Sequence, residues 1–188
     1  VSGGGDDSGG GATDTDNIPD AVENAGPNGG DGNNGGIADS QQVNVTSLPI
    51  AGGLGPYLTV QTPTGTRLAN VTVQTPGQAG VSGNYPWGVL SFEVFGPSPV
   101  TITLYLPARS SALGLVLNKI LSGQIRPLSA QFSVVQIGGQ PTVVVTYSLT
   151  DNGPDDTCPA SGQICDPVGV ADITESSAVL TVTKTGNG

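Results

Sequence analysis

Acidic side chains at alternate positions near the N-terminus, in residues 14–42, are the groups with the clearest chemical potential in this chain. Two stretches, 14–23 and 33–42, align at a spacing of nineteen residues, and in each an isoleucine is followed two positions later by an aspartate. A calcium loop delivers about six to eight oxygen ligands from alternate positions, with a main-chain carbonyl at the seventh and a carboxylate at the twelfth. The spacing therefore predicts two loops for calcium (Ca2+).

The two predicted loops differ in how many calcium ligands their sequences provide. With Ile18 at the seventh position, the ligands of the first loop are Asp14, Asp16, the Ile18 carbonyl, Asp20 and Glu23. With Ile37 at the seventh position, those of the second loop are Asp31, Asn33, the Ile37 carbonyl and Asp39. The second loop has Gly35 at its fifth position and a neutral Gln42 at its twelfth, so we expect it to bind more weakly. The alternative is a flexible, solvated spacer of the same composition.

A second acidic cluster precedes the C-terminus. Its aspartates are expected to hang from one loop at a strand end and to form a further calcium site: Asp151, Asp155, Asp156 and Asp166. The same Asp/Asn-Gly-Pro composition is also ordinary turn chemistry. Cys158 and Cys165 lie in this region at a spacing that fits neither redox nor zinc motifs, so we predict a disulfide and an oxidising compartment, with two free thiols as the alternative.

The rest of the chain predicts an all-β fold. Short alternating or β-rich segments are separated by turns, as in residues 100–106 and in the pair 132–137 and 142–149 around Gly138 and Gly139. About nine to eleven such segments are typical of an antiparallel β-sandwich, Ig-like or jelly-roll-like. We expect a calcium-loop arm at 1–42, the sandwich at 43–172, and a terminal strand segment at 173–188 that includes a strand at 178–183.

Composition and charge exclude several functions. The chain has no histidine, a net charge of −10 and a single tryptophan, and its acids cluster in glycine-rich loops, so we expect no enzymatic activity. Its few basic residues argue against nucleic-acid binding. No run of apolar residues is long enough for a membrane span. An acidic N-terminal segment and a weakly basic middle would favour contacts between copies.

Two resemblances add to this interpretation. The first loop, DTDNIPDAVE, resembles the thrombospondin type 3 calcium repeat, with Asn17 in place of its usual glycine. The segments NVTSLP, YPWGVLSFEV, VTITLYLP and VTYSLTDNGPDD with GQICDPVGVA resemble the bacterial choice-of-anchor U surface domain over roughly residues 14–171. These resemblances imply a secreted, β-rich module at the cell surface without a defined activity.

Two functions are therefore expected. The first is a non-catalytic, extracellular structural subunit, stabilised by calcium, that self-associates into a fibre or surface layer by exchanging a terminal strand or arm. The alternative is a monomeric cell-surface adhesin or carbohydrate-binding module that recognises a surface glycan.

Overall fold

Alternating apolar residues and short turns produce ten strands in the part of the chain that the structure describes, residues 14–50, 56–121 and 123–174 of a computed structural model. Inward and outward positions alternate most clearly in β5, where buried and more exposed side chains follow each other from Val100 to Tyr105. The strands are β1 Val45–Pro49, β2 Tyr57–Gln61, β3 Arg67–Gln74, β4 Val89–Phe95, β5 Val100–Pro107, β6 Leu115–Leu121, β7 Gln124–Pro127, β8 Gln131–Ile137, β9 Gln140–Leu149 and β10 Gln163–Asp172.

The strands form two antiparallel five-stranded sheets. Sheet I has the order β1-β2-β5-β9-β8, and sheet II has the order β3-β4-β10-β6-β7. The predicted hairpin around Gly138 and Gly139 is present, with Ile137 opposite Gln140 in the register of β8 and β9. The prediction of an all-β antiparallel sandwich is confirmed.

The core lies between the two sheets. Leu58, Ile102 and Val145 of sheet I pack in one cluster with Phe92 and Leu117 of sheet II, and all are at most 2% exposed. Burying each such side chain contributes about 1.5–3 kcal/mol. Trp87 belongs to the same core, and its indole N–H donates to the carbonyl of Pro107 at 3.1 Å. The single tryptophan is therefore a packing residue.

Strand β10 was missed by the sequence prediction, which placed Asp166 in a loop. It is a central strand of sheet II, paired with β4 from Gln163 to Gly169 and with β6 from Val168 to Asp172. Its glycine is required by packing, because a Cβ at Gly169 would lie 2.7 Å from the ring of Tyr85. The correction moves Asp166 from the molecular surface into a strand, where it is fully buried.

The arm ahead of β1 contains little regular structure. It includes the short helix α1, Asp20–Glu23, a single turn, α2, at Pro27–Gly30 in which Asn28 and Gly29 have positive φ, and a 3-10 turn at Asp39–Gln41. The glycine-rich segment 1–13 and the predicted strand at 178–183 lie outside the described residues.

No helix within the described segments is long and apolar enough to cross a membrane.

Candidate metal centre

The arm lies where the edges of the two sheets meet. Strands β1 and β3 are edge strands of sheets I and II, and they contact each other. A bulge between Ala69 and Thr72 interrupts the pairing of β3, and there the Val71 N–H donates to the main-chain carbonyl of Asp16 at 2.9 Å. The Thr15 hydroxyl donates to the carbonyl of Leu68 at 2.9 Å. The arm therefore satisfies main-chain groups that the edge of β3 would otherwise leave unpaired.

A left-handed residue gives the first predicted loop its turn. Asn17 has φ of 73°, a conformation that glycine and asparagine adopt more readily than other residues. Its side-chain amide donates to the side-chain oxygen of Asn70 in the β3 bulge at 2.6 Å. Ile18, the next residue, is half-buried and packs against the main core. Asparagine thus supplies the glycine-like conformation and also ties the loop to β3.

Three acidic side chains of this loop converge. Each of Asp14, Asp16 and Glu23 offers a carboxylate oxygen, and these oxygens lie within 4.8 Å of one another. Asp16 and Glu23 are 0% exposed. The predicted ligand Asp20 is not among these convergent acids, although its charge contributes to raising the pKa of Asp14. Of the five predicted ligands of the first loop, the structure thus brings three carboxylates together, and the Ile18 N–H donates to Asp16 Oδ1 at 2.7 Å.

Strand β1 forms the inner wall of this group. The Thr46 hydroxyl donates to Asp16 Oδ2 at 2.6 Å, and the main-chain N–H of Ser47 donates to Glu23 Oε1 at 3.2 Å. The remaining oxygens, Asp14 Oδ2 and Glu23 Oε2, are buried and have no hydrogen-bond partner. A buried acceptor without a partner is rare and costs about 1–3 kcal/mol, more if it is charged. These two oxygens are therefore suited to an additional ligand.

The electrostatics of the group also favour an additional, positively charged ligand. Burial, with further contributions from the charges of Asp16, Asp14 and Asp39, raises the pKa of Glu23 to about 9. Burial, together with the charge of Asp16, raises the pKa of Asp14 to about 7, although the hydrogen bond from the Asp16 main-chain N–H opposes the rise. Without a cation these carboxylates must hold protons or repel one another. A divalent cation would neutralise them and fill the unpaired oxygens.

The second predicted loop does not gather its ligands in this way. Both oxygens of Asp31 accept main-chain N–H groups, from Gly35 at 2.7 Å and Gly36 at 2.9 Å. The Ile37 carbonyl accepts the side-chain amide of Gln42 at 2.9 Å, while the Ile37 side chain is 52% exposed. Asn33 also accepts from Gly35. The loop is closed by its own hydrogen bonds.

Asp39, the last predicted ligand of the second loop, turns inward instead. Its Oδ2 accepts the Gly32 N–H at 2.9 Å and the Ser47 hydroxyl at 2.5 Å, whereas Oδ1 is buried without a partner. Burial raises the pKa of Asp39 to about 6, although these two hydrogen bonds oppose the rise. Gly32 allows this approach, because a Cβ there would lie 2.1 Å from the Thr59 hydroxyl.

The four aspartates of the second predicted cluster have separate partners. Asp155 forms an ion pair with Arg126, and Asp166 forms one with Lys119. Asp156 accepts the main-chain N–H groups of Asn152, Cys158 and Cys165. Asp151 accepts the N–H of Gly162 at 2.8 Å and keeps one buried oxygen unpaired. Within the described residues, the group of three convergent acids in the arm has no counterpart here.

The predicted disulfide between Cys158 and Cys165 is present. It closes the loop that precedes β10, and the main-chain N–H groups of both cysteines donate to the same Asp156 oxygen. The disulfide and the Asp156 carboxylate therefore both stabilise the loop that precedes β10.

We expect replacement of both cysteines by serine to lower the free energy of unfolding by about 2.5 kcal/mol, the chain-entropy value for a loop of this length. Urea denaturation of the oxidised wild-type protein and of the double variant measures this difference. Adding a reductant should bring the wild-type protein to the stability of the variant and leave the variant unchanged. Equal stability of the oxidised wild-type protein and the variant would contradict the prediction.

Sequence reasoning missed the residues of β1 and β2 that complete the candidate metal centre. Thr46 and Ser47 are fully buried polar residues that supply hydrogen bonds to the acids, and Ser47 also contacts the Thr59 hydroxyl at 2.6 Å. The Tyr57 hydroxyl donates to the carbonyl of Val22 and anchors α1. Two adjacent hydroxyl residues in a strand directly after the acidic arm were the available signal.

Comparison of the chain with family models, with curated proteins and with solved structures finds no match.

Proposed function

We propose that this protein is a non-catalytic, extracellular structural module whose N-terminal arm is held on the β-sandwich by a calcium ion. The observation that carries this proposal is the convergence of Asp14, Asp16 and Glu23 within 4.8 Å, with one buried and unpaired oxygen on each of Asp14 and Glu23. Hard carboxylate oxygens are the ligands that calcium prefers. The ion would neutralise the charges of these carboxylates.

Calcium fits this site better than a transition metal. The three side chains offer only oxygen, and the chain contains no histidine. Nitrogen and sulfur ligands dominate at structural zinc sites, whereas oxygen-only sites suit calcium or magnesium. Magnesium requires near-ideal octahedral geometry and usually retains several waters. An irregular set of buried carboxylates favours the larger and more adaptable ion.

The proposed role is structural because of what the acids connect. Asp16 is hydrogen-bonded to β1 through Thr46 and to β3 through Val71, and Glu23 is hydrogen-bonded to Ser47 of β1. An ion at these side chains would tie α1 and the loop before it to edge strands of both sheets. Loss of the ion should therefore loosen the arm before the sandwich itself unfolds.

We expect chelation of calcium to lower the melting temperature and to increase protease cleavage within residues 14–42. Differential scanning fluorimetry in excess calcium, magnesium or EDTA, combined with mapped limited proteolysis, measures both effects. Calcium should stabilise by about 2.7 kcal/mol at a concentration one hundred times its Kd. Identical melting and cleavage in calcium and in EDTA would refute the proposal.

We further propose that copies associate by strand addition, the assembly role expected from the sequence. Supporting this, β8 is the edge strand of sheet I at the end opposite β1, and its Val134 and Val135 side chains are each 40% exposed. An exposed edge can accept a strand through main-chain hydrogen bonds. The occupant we propose is the predicted strand at 178–183 of a second copy.

Electron microscopy and light scattering of the whole chain test assembly, in calcium and in EDTA. A variant truncated after Thr174 should remain monomeric where the full chain assembles. Monodisperse monomers of the full chain at high concentration in calcium would overturn the assembly proposal and leave the calcium proposal standing.

A further inference from the structure

A second group of polar side chains is buried inside the sandwich, away from the candidate metal centre. Lys119 lies on β6, Asp166 on β10 and Tyr147 on β9. Lys119 and Asp166 are 0% exposed, and Tyr147 is buried as well. In sheet II, Lys119 is opposite Val168, so Asp166 is its diagonal neighbour on the same face. That face is the core face, because Val168 and Leu117 belong to the main core.

The contacts of this group place an amine against a carboxyl. Lys119 Nζ donates to Asp166 Oδ1 at 2.7 Å and to the main-chain carbonyl of Cys165 at 3.1 Å. The hydroxyl of Tyr147, which reaches across from sheet I, donates to Asp166 Oδ2. Each oxygen of the carboxyl therefore has a different partner, one of them a nucleophile and the other a neutral hydrogen-bond donor.

We propose that the Lys119 amine and the Asp166 carboxyl condense to an amide that joins β6 covalently to β10. The two groups are held in contact by adjacent strands of one sheet, and the surrounding core excludes the water that would reverse the reaction. Well-oriented intramolecular groups reach effective concentrations of about 10⁵–10⁸ M.

The step balances without any co-reactant. The ammonium passes one proton to Asp166 Oδ1, which leaves a neutral amine and a neutral carboxylic acid. Lys119 Nζ then attacks Cγ, and negative charge develops on Oδ2, where the Tyr147 hydroxyl stabilises it. A second proton moves from the nitrogen to Oδ1, the Cγ–Oδ1 bond breaks, and one water leaves. The product is an amide, with no net change of charge.

Burial favours the neutral pair over the ion pair that precedes the reaction. Moving two charges into an apolar interior carries a desolvation penalty that their attraction does not always offset. Burial raises the pKa of Asp166, against the opposing effect of Lys119, and it also raises the pKa of Tyr147, which keeps the phenol protonated as a donor. Condensation removes both charges from the core.

The intact mass of the full chain tests the proposal directly. We expect the reduced and denatured protein to be lighter than its sequence mass by one water molecule. A buried ion pair without an amide gives the full sequence mass, and that result would overturn the proposal.

Peptide mapping shows which residues have lost the water molecule. Trypsin cleaves after an unmodified Lys119 and does not cleave Arg126 before Pro127, so an unlinked chain gives separate peptides 110–119 and 120–184. The amide blocks cleavage at Lys119 and gives one peptide, 110–184, that is one water lighter than its sequence mass. Dehydration at the Asp31–Gly32 bond would instead appear in peptide 1–67 and would not support the proposal.

Variants separate the roles of the three residues. Lys119→Arg retains a positive charge but should show no mass loss and should be cleaved at position 119. Tyr147→Phe keeps the ring and removes the donor, so we expect a smaller fraction of linked peptide; an unchanged fraction would exclude Tyr147 as a catalytic residue. The Asp166→Asn variant can lose ammonia instead of water and should give the same linked product as the wild-type protein, whereas Asp166→Ala should give none.

Discussion

In saturating calcium, a Glu23→Gln variant is expected to unfold at a lower temperature than the wild-type protein, whereas in EDTA the two should be nearly equal. Glu23 is buried with one unpaired oxygen beside Asp14 and Asp16, and burial raises its pKa to about 9. Without calcium the side chain is therefore protonated at neutral pH, and glutamine replaces a neutral group of similar shape. With calcium the variant lacks an anionic ligand.

The expected difference in stability between the two proteins in calcium follows from the stabilisation that a bound ligand provides. A site that is filled at about one hundred to one thousand times its Kd stabilises the folded protein by about 2.7–4.1 kcal/mol. Loss of the site should remove most of that gain. Thermal melts of both proteins across a calcium titration, with isothermal calorimetry for the affinity, measure it.

Glu93→Gln is the matched control, because it makes the same substitution on β4, outside the arm. It should leave the calcium response unchanged. If Glu23→Gln destabilises equally in calcium and in EDTA, Glu23 has only a packing role and the assignment of the metal centre fails.

The sequence predicted most strands because their side chains alternate strictly or flank clear turns. Residues 100–106 and the Gly138-Gly139 hairpin are examples, and both lie close to where they were expected. Strand β10 was missed because Asp166, Pro167 and Gly169 are all disfavoured in strands. Its position between two other strands overrides those local preferences, which is a tertiary effect that no local pattern contains.

The candidate site was also predicted only in part. Ligand spacing alone predicted that Asp14, Asp16 and Glu23 belong together, since the spacing is a property of one short loop. It could not predict that Asp31 would satisfy itself with the N–H groups of Gly35 and Gly36, or that Asp39 would turn toward Ser47. The bonds of Asp31 are local, but ligand spacing does not distinguish an aspartate that binds a cation from one that accepts the N–H groups of its own turn. The inward turn of Asp39 depends on how the arm docks on β1.

The fall of stability with rising pH is expected to become much smaller when calcium is added. Without calcium, the folded-state pKa values of Glu23, Asp14 and Asp39 are raised to about 9, about 7 and about 6, above ordinary values of 4.5, 3.8 and 3.8. Between pH 4 and 9, in round numbers, the folded state then holds more protons than the unfolded state. Stability falls as pH rises wherever the folded state binds more protons. The calcium-free protein should therefore lose stability on passing from acid to alkaline pH.

Calcium removes the contributions of Glu23 and Asp14 to this fall because it binds their deprotonated carboxylates and so lowers their folded-state pKa values, whereas Asp39 lies outside the group of convergent acids. In saturating calcium, stability should therefore change little with pH above about 6, where Asp39 has also lost its proton. Asp172, whose pKa the Arg109 guanidinium lowers to about 2, loses its contribution only in stronger acid and does not mask the effect.

Melting temperatures measured from pH 4 to pH 9 in calcium and in EDTA test this prediction. The two curves should diverge with rising pH, and proton release on calcium binding should be visible as a dependence of the calorimetric enthalpy on the buffer. In Glu23→Gln, the fall in EDTA should be shallower above neutral pH, because the group with the highest raised pKa is gone. Parallel curves for the wild-type protein would mean that calcium does not bind at these carboxylates.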